Sequence, residues 1–156
     1  MKNHKFLGIH WFPAERFAPD FPLAVWFAGL WFYLKSFLYV SYVYMLGLEP
    51  PPYTGATLVE IIYFLVTMVP FLLLGMAMWN RKEKFYVPAV VLLGIDTPFL
   101  LFHVFRLAQG GFLDSGLTKV LEFGSLGLNV VALAWLIGYL SARKSMAAKS
   151  APKNSK

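Results

Sequence analysis

Apolar residues fall along this chain in four runs, each about the ~20 residues that a helix needs to cross ~30 Å of hydrocarbon at about 1.5 Å per residue. The pattern predicts helices over 22–46, 57–79, 86–107 and 117–140. Pro22 suits a helix start, where its missing N–H is not needed. Between the first two runs, Pro50, Pro51 and Pro52 cannot continue a helix and make an extended loop. Asn80, Arg81, Lys82, Glu83 and Lys84 form a tight charged turn, and Gly110, Gly111 and Gly116 punctuate the last loop. Connections this short place consecutive helices side by side and antiparallel. The expected fold class is therefore an all-α membrane protein, a four-transmembrane-helix up-down bundle.

The runs are not purely apolar. Lys35, Glu60, Asp96, His103 and Glu122 sit within them, with Asn129 nearby. A charge at the bilayer centre costs roughly 2.5–3.5 kcal/mol, so such residues are rare and usually face a bundle interior or a cavity. Helical spacing collects them. Trp31, Lys35, Tyr39 and Tyr42 share one face of the first helix, and Glu60, Tyr63, Thr67 and Pro70 one face of the second. On the third, Asp96, His103 and Arg106 are related by seven and three residues. On the fourth, Glu122, Ser125, Asn129, Ala132, Leu136 and Tyr139 form a continuous stripe. Polar groups in lipid need partners, so the stripes are expected to face one another.

Depth sorts the groups further. Counted from their helix ends at about 1.5 Å per residue, Lys35 lies about 20 Å and Asp96 about 15 Å into the membrane. This predicts a buried Lys35–Asp96 ion pair, with Asn129 completing its hydrogen bonds. Glu60, His103, Arg106 and Glu122 lie nearer the opposite side and form an expected outward-opening cluster with Tyr63 and Ser125. Asp96-Thr97-Pro98 adds a kink, because Pro98 releases the carbonyl of Gly94 close to the carboxylate. Plainer roles compete with function at each place. The ion pair can simply fix helix register, and acids and arginines near helix ends can reach water. Asn129 can serve as interhelical glue.

The basic residues set the orientation. Lys2, Lys5 and Arg16, then Arg81, Lys82 and Lys84, then Arg143, Lys144, Lys149, Lys153 and Lys156 all belong to one side; only Arg106 and Lys119 belong to the other. The positive-inside rule makes both termini cytoplasmic. The first 21 residues are expected to be an interfacial segment, rich in aromatics and proline, for which a short amphipathic helix is one form. They do not read as a cleavable signal, since Pro13, Glu15 and Arg16 interrupt the short apolar patch. Residues 22–140 make the membrane domain, and 141–156 a disordered basic tail drawn to anionic lipid. The expected location is a bacterial inner (plasma) membrane.

Composition agrees: 58% of residues are hydrophobic and only 14% charged, too apolar for an ordinary soluble domain. The net charge of +6 flanks the apolar runs, so it argues for membrane surface and against nucleic acid. The absence of cysteine excludes disulfides, thiolate metal sites and thiol chemistry. Haem is disfavoured because the spans hold only His103, and no phosphate loop, dinucleotide fingerprint or metal-ligand spacing is present. No cofactor is identifiable, and no motif is specific enough to name a family.

The expected function is that of a non-enzymatic subunit or binding protein. Its outward-facing site, lined by Tyr39, Tyr42, Tyr63, His103 and Arg106, would take a lipid-like or quinone-like molecule. Membrane lipid, a partner membrane protein or a second copy are the expected partners. The alternative is an enzyme acting on a hydrophobic substrate, as in a sterol-isomerase-like or lipid-modifying site, with Glu60, Glu122 and His103 as acid and base. A proton path through Glu122, Asp96 and Lys35 is disfavoured. The cytoplasmic halves of the second and third helices carry only Thr67 as an internal polar group.

Overall fold

The computed structural model describes residues 5–6, 9–10, 20–48, 54–109 and 116–150. Two short strands, β1 (Lys5–Phe6) and β2 (Ile9–His10), pair antiparallel with Lys5 opposite His10. Four helices follow: α1 (Leu23–Gly47), α2 (Gly55–Trp79), α3 (Tyr86–Gln109) and α4 (Gly116–Ser150), with a 3-10 turn at Glu83–Phe85 leading into α3. All four helices are long and apolar enough to cross a membrane.

Most boundaries fall within two residues of the pattern-based ones. Where the interfacial segment is described it is strand rather than helix, in keeping with the β preference of Phe6 and Ile9. The rest of that segment up to residue 19 lies outside the described residues, as do 49–53, 110–115 and 151–156. The tail expected to be disordered from 141 instead continues α4 to Ser150. Ala142, Arg143, Lys144, Met146 and Ala147 are good helix formers, and no proline intervenes before Pro152.

Cross-helix contacts fix the arrangement. Trp26 meets Trp79 and Phe32 meets Phe71, so α1 and α2 run antiparallel. Arg106 meets Glu60 and Phe99 meets Tyr63 between α3 and α2. Tyr86 meets Tyr139 and His103 faces Glu122 between α3 and α4, while Phe27 meets Trp135 between α1 and α4. Every neighbouring pair is antiparallel, and the order α1-α2-α3-α4 closes into a ring in which α1 lies diagonally across from α3.

The α1–α2 contact is tightest near the end where α1 begins. Gly75 packs its bare backbone against the Gly29 carbonyl, Phe32 and Tyr33. The Trp79 indole covers Gly29, stacks on Tyr33 with ring centres 4.5 Å apart, and donates from Nε1 to the Trp26 carbonyl at 3.2 Å. Helix α2 then stops in a Schellman turn: Lys82 N–H bonds the Ala77 carbonyl and Arg81 N–H the Met78 carbonyl. Arg81 occupies the left-handed position usually given to glycine, with φ 52°. Its guanidinium makes two 2.9 Å bonds to Asp20 just before α1. Arg143 likewise ties α4 to Glu83 at 2.6 Å.

Two outcomes follow for this end of the bundle. A Cβ built on Gly29 would lie 2.6 Å from the Trp79 ring. The ring is held by a stack and a hydrogen bond, so Gly29→Ala is expected to cost about 1–3 kcal/mol of stability, read from denaturant titration in mixed micelles. The hydrogen bond from Arg81 holds the Asp20 carboxyl below its usual range. A depressed carboxylate contributes stability that is present above the unfolded-state value and lost as pH falls through the folded-state value. Acid titration of the wild type should lose this small increment below the usual carboxylate range, and Asp20→Asn should remove that part of the pH dependence.

Candidate functional site

The polar residues of the four helices meet in two layers. The inner layer is centred on Lys35 of α1 and Asp96 of α3, which face each other across the diagonal and form an ion pair. Asp96 also accepts from Tyr39 and, at 2.9 Å, from Tyr63 of α2. Lys35 donates in addition to Asn129 Oδ1 of α4, which receives the Trp31 indole N–H at 3.1 Å. The Asn129 amide donates at 2.8 Å to Thr97 Oγ1, whose hydroxyl bonds back to the Leu93 carbonyl at 2.8 Å. Lys35 Nζ also lies 4.9 Å from the centre of the Phe71 ring, within cation–π range. Lys35, Asp96 and Asn129 are all fully buried, at 0% exposure. Each helix contributes to the layer; both Asp96 oxygens accept, and the Lys35 ammonium donates twice and lies against aromatic rings.

The outer layer lies two helical turns away. Tyr42, His103 and Glu122 each stand seven residues along their helices from Lys35, Asp96 and Asn129 respectively, about 10 Å at the α-helical rise. Seven residues is nearly two full turns, so both layers occupy the same faces. Glu60 of α2 receives Arg106 through both oxygens, with Nε to Oε1 at 2.8 Å. The same guanidinium reaches Thr57 Oγ1 at 3.1 Å. Thr57 is itself set by the helix start, since its N–H and hydroxyl both engage Thr54. The His103 ring stands between two carboxylates: Nδ1 is 3.2 Å from Glu60 Oε1, and Nε2 is 3.8 Å from Glu122 Oε2. Glu60 and Glu122 are buried, so they do not reach out to water as acids near a helix end can.

The two layers differ in satisfaction. In the outer layer, Tyr42 Oη, His103 Nδ1, Glu122 Oε2 and Ser125 Oγ are buried atoms without a hydrogen-bond partner. His103 Nδ1 approaches Glu60 at 3.2 Å and Tyr42 Oη is directed at Glu122 and Ser125, so these groups are one another's nearest polar neighbours although none of the contacts reaches standard hydrogen-bond geometry. Buried polar atoms are nearly always paired, and each exception calls for a reason. The rings of Tyr42, Phe64 and His103 form a trio around this cluster, with centroid separations of 5.1, 5.3 and 5.2 Å. Among the described residues, no three acidic or histidine side chains are placed to hold a metal ion.

Placement of the expected residues departs from the expected grouping at Tyr39 and Tyr63, whose expected place is the outward-facing site and which instead donate to Asp96. Lys35, Asp96, Asn129, Tyr39 and Tyr63 come together in the inner layer. Tyr42, Glu60, His103, Arg106 and Glu122 come together in the outer one, joined by Ser125. Tyr63 is stacked on Phe99 at 3.5 Å and Tyr39 packs on Phe64 at 4.8 Å, so these two rings are core packing as well as hydrogen-bond donors to Asp96. Pro70 is the exception in its stripe: it is exposed, and Phe71 beside it fills the interior. Trp31, Thr57 and Thr97 are the partners that spacing alone did not single out as site residues. Thr57 stands one turn before Glu60 and Thr97 sits inside the Asp96-Pro98 motif, which are the sequence signals for them. A separate apolar groove of about 430 Å³ lies between the start of α1 and the far half of α4, lined by Leu23, Ala24, Ala134, Trp135, Gly138 and Tyr139.

The inner layer predicts a specific mutational pattern. Asp96→Leu or Lys35→Met alone should cost about 3–5 kcal/mol, because each leaves its partner charged and buried. The double variant Lys35→Met/Asp96→Leu should recover much of that loss. A strictly additive double variant, measured in the same micelles, would show that the two groups do not depend on each other. Comparison of the chain with family models, with curated proteins and with solved structures returns no match.

Proposed function

We propose that this chain is a small integral membrane protein that binds a hydrophobic molecule of lipid-like or quinone-like form in its outer layer. Both termini lie on the cytoplasmic side of a bacterial inner membrane, and the outer layer opens away from the cytoplasm. One observation carries the reading: four buried polar atoms, on Tyr42, His103, Glu122 and Ser125, converge with only loose contacts among themselves and to Glu60, none of standard hydrogen-bond geometry. In hydrocarbon that arrangement has a cost unless something supplies the missing bonds. A ligand with a polar end and an apolar body meets both needs, since the polar atoms take the headgroup and the Tyr42, Phe64 and His103 rings take the body. The exposed side of α1, with Leu34, Phe37, Val40 and Tyr44, is left to lipid or to a partner helix.

A second reading is an enzyme using Glu60, Glu122 and His103 as acid and base on a hydrophobic substrate. It is favoured by the position of His103 between two carboxylates, at 3.2 and 3.8 Å, a geometry that suits proton transfer. His103→Gln separates the two, because it abolishes turnover outright but only weakens binding.

The binding reading has a signature in stability. An unpartnered buried hydroxyl destabilises, so Tyr42→Phe and Ser125→Ala should leave the ligand-free protein as stable as wild type or raise it by about 1 kcal/mol. The same variants should lose a hydrophobic adduct that wild type retains in native mass spectrometry from lipid nanodiscs. Wild type released bare, with both variants destabilised, would make the cluster a structural element and end this proposal.

A further inference from the structure

Charge in the outer layer is unbalanced. Glu60 is matched by Arg106 through both carboxylate oxygens. Glu122 is buried to 4% exposure and faces His103 and the Tyr42 hydroxyl, neither of them a lysine or arginine. Among the described residues no lysine or arginine forms an ion pair with it. Lys119, one turn away on the same helix, is exposed and makes no such pair. The inner layer cannot lend charge, because Lys35 is already paired with Asp96. Arg106 therefore serves Glu60 alone, and the buried Glu122 carboxyl has no lysine or arginine of its own.

The unpartnered atoms match that charge in chemistry. Glu122 Oε2 is an acceptor, and Ser125 Oγ and Tyr42 Oη accept as well as donate. Beside them stand the faces and edges of Tyr42, Phe64 and His103, mutually 5.1–5.3 Å apart. A carboxylate with aromatic walls and spare acceptors is complementary to a cation that carries N–H donors. A carbonyl headgroup would leave the charge on Glu122 uncompensated, and an alcohol supplies one donor and no charge. Tyr42 is half-buried while His103, Glu122 and Ser125 are buried. Of these four, Tyr42 comes nearest the surface.

Taking the outer layer as a ligand site, as above, we infer that its ligand class is a membrane-soluble amine: an aliphatic or aromatic body ending in a protonated amino group that pairs with Glu122. The ammonium donates to Glu122 Oε2, with Ser125 Oγ and Tyr42 Oη as further acceptors, and restores neutrality to the layer. A proton on His103 is the competing source of positive charge. It would fill the layer without any amine, and in that case the site has no preference for a charged headgroup.

The test uses full-length protein in nanodiscs of zwitterionic lipid, with empty nanodiscs as the partition control. Dodecylammonium and dodecanol share a chain and differ in headgroup. Binding of each is read from the thermal midpoint followed by tryptophan fluorescence. Dodecylammonium is expected to bind wild type roughly tenfold or more tightly than dodecanol, the effect of one hydrogen-bonded charge. Glu122→Gln should erase that preference while dodecanol still binds. Equal binding of the two by wild type would overturn the amine assignment and leave the outer layer standing as a site. Unchanged amine preference in Glu122→Gln would overturn it too. Binding of neither compound would remove the site reading and the amine assignment together. Should Glu122→Gln fail to fold, Tyr42→Leu is the second test: the amine should lose severalfold more affinity than the alcohol, and equal losses overturn the proposal.

Discussion

The Lys35–Asp96 pair organises this bundle. It joins α1 to α3 across the diagonal, the longest span in a four-helix ring, and draws Tyr63 from α2 and Asn129 from α4 onto the same few atoms. Both groups are fully buried, so the hydrogen bonds of Asp96 and Lys35 have to be completed within the protein. That requirement sets the rotation of all four helices at once. A register slip of one residue on α1 would carry Lys35 about 100° around its axis and leave two charges unpaired. Thr97, between Asp96 and Pro98 on α3, takes part in this constraint, because its hydroxyl accepts from Asn129 of α4 and donates to the Leu93 carbonyl.

Once the rotation is set, residues two turns further along the same faces must also meet. That is why Tyr42, His103 and Glu122 converge: each inherits its direction from the inner-layer residue seven positions away. The outer layer therefore does not need to be self-sufficient. Its position is imposed by the saturated layer beneath it and by the Glu60–Arg106–Thr57 contacts at its edge. A scaffold of this kind can hold unpartnered polar groups in place, which a cluster dependent on its own bonds cannot do. The Gly29–Gly75–Trp79 contact performs the matching task at the opposite end by tight packing instead of polar bonding.

Much of this architecture was legible from residue spacing. Period-3.6 stripes placed Lys35, Asp96 and Asn129 together, because few polar residues occur in the runs and each has a single inward face. The tail was misread because its polar, basic composition suggests disorder, whereas its alanines, lysines and arginine are good helix formers that continue a helix already started. Pro70 was misplaced for a related reason. A proline at helical spacing from Thr67 looks like part of a polar stripe, but its missing N–H has no bearing on which face is buried, and the bulk of Phe71 decided it. The orphaned state of Glu122 and Ser125 was beyond sequence reasoning altogether. Spacing brings groups to one level of the bundle, but hydrogen-bond alignment depends on offsets of under an ångström.

The contrast between layers is a physical argument about what each is for. A buried pair with every bond made, as at Asp96, contributes specificity of structure and has no capacity left for another molecule. A buried set with bonds missing forfeits stability in the free protein and regains it only when something binds. Both kinds occur here along the same helix faces. The difference lies in the pairing of cations: at the inner layer one lysine meets one aspartate, while at the outer layer the one arginine meets Glu60 and leaves Glu122 to His103. Neutrality inside a bilayer is close to obligatory, so that imbalance directs attention to Glu122 ahead of any other residue in the chain.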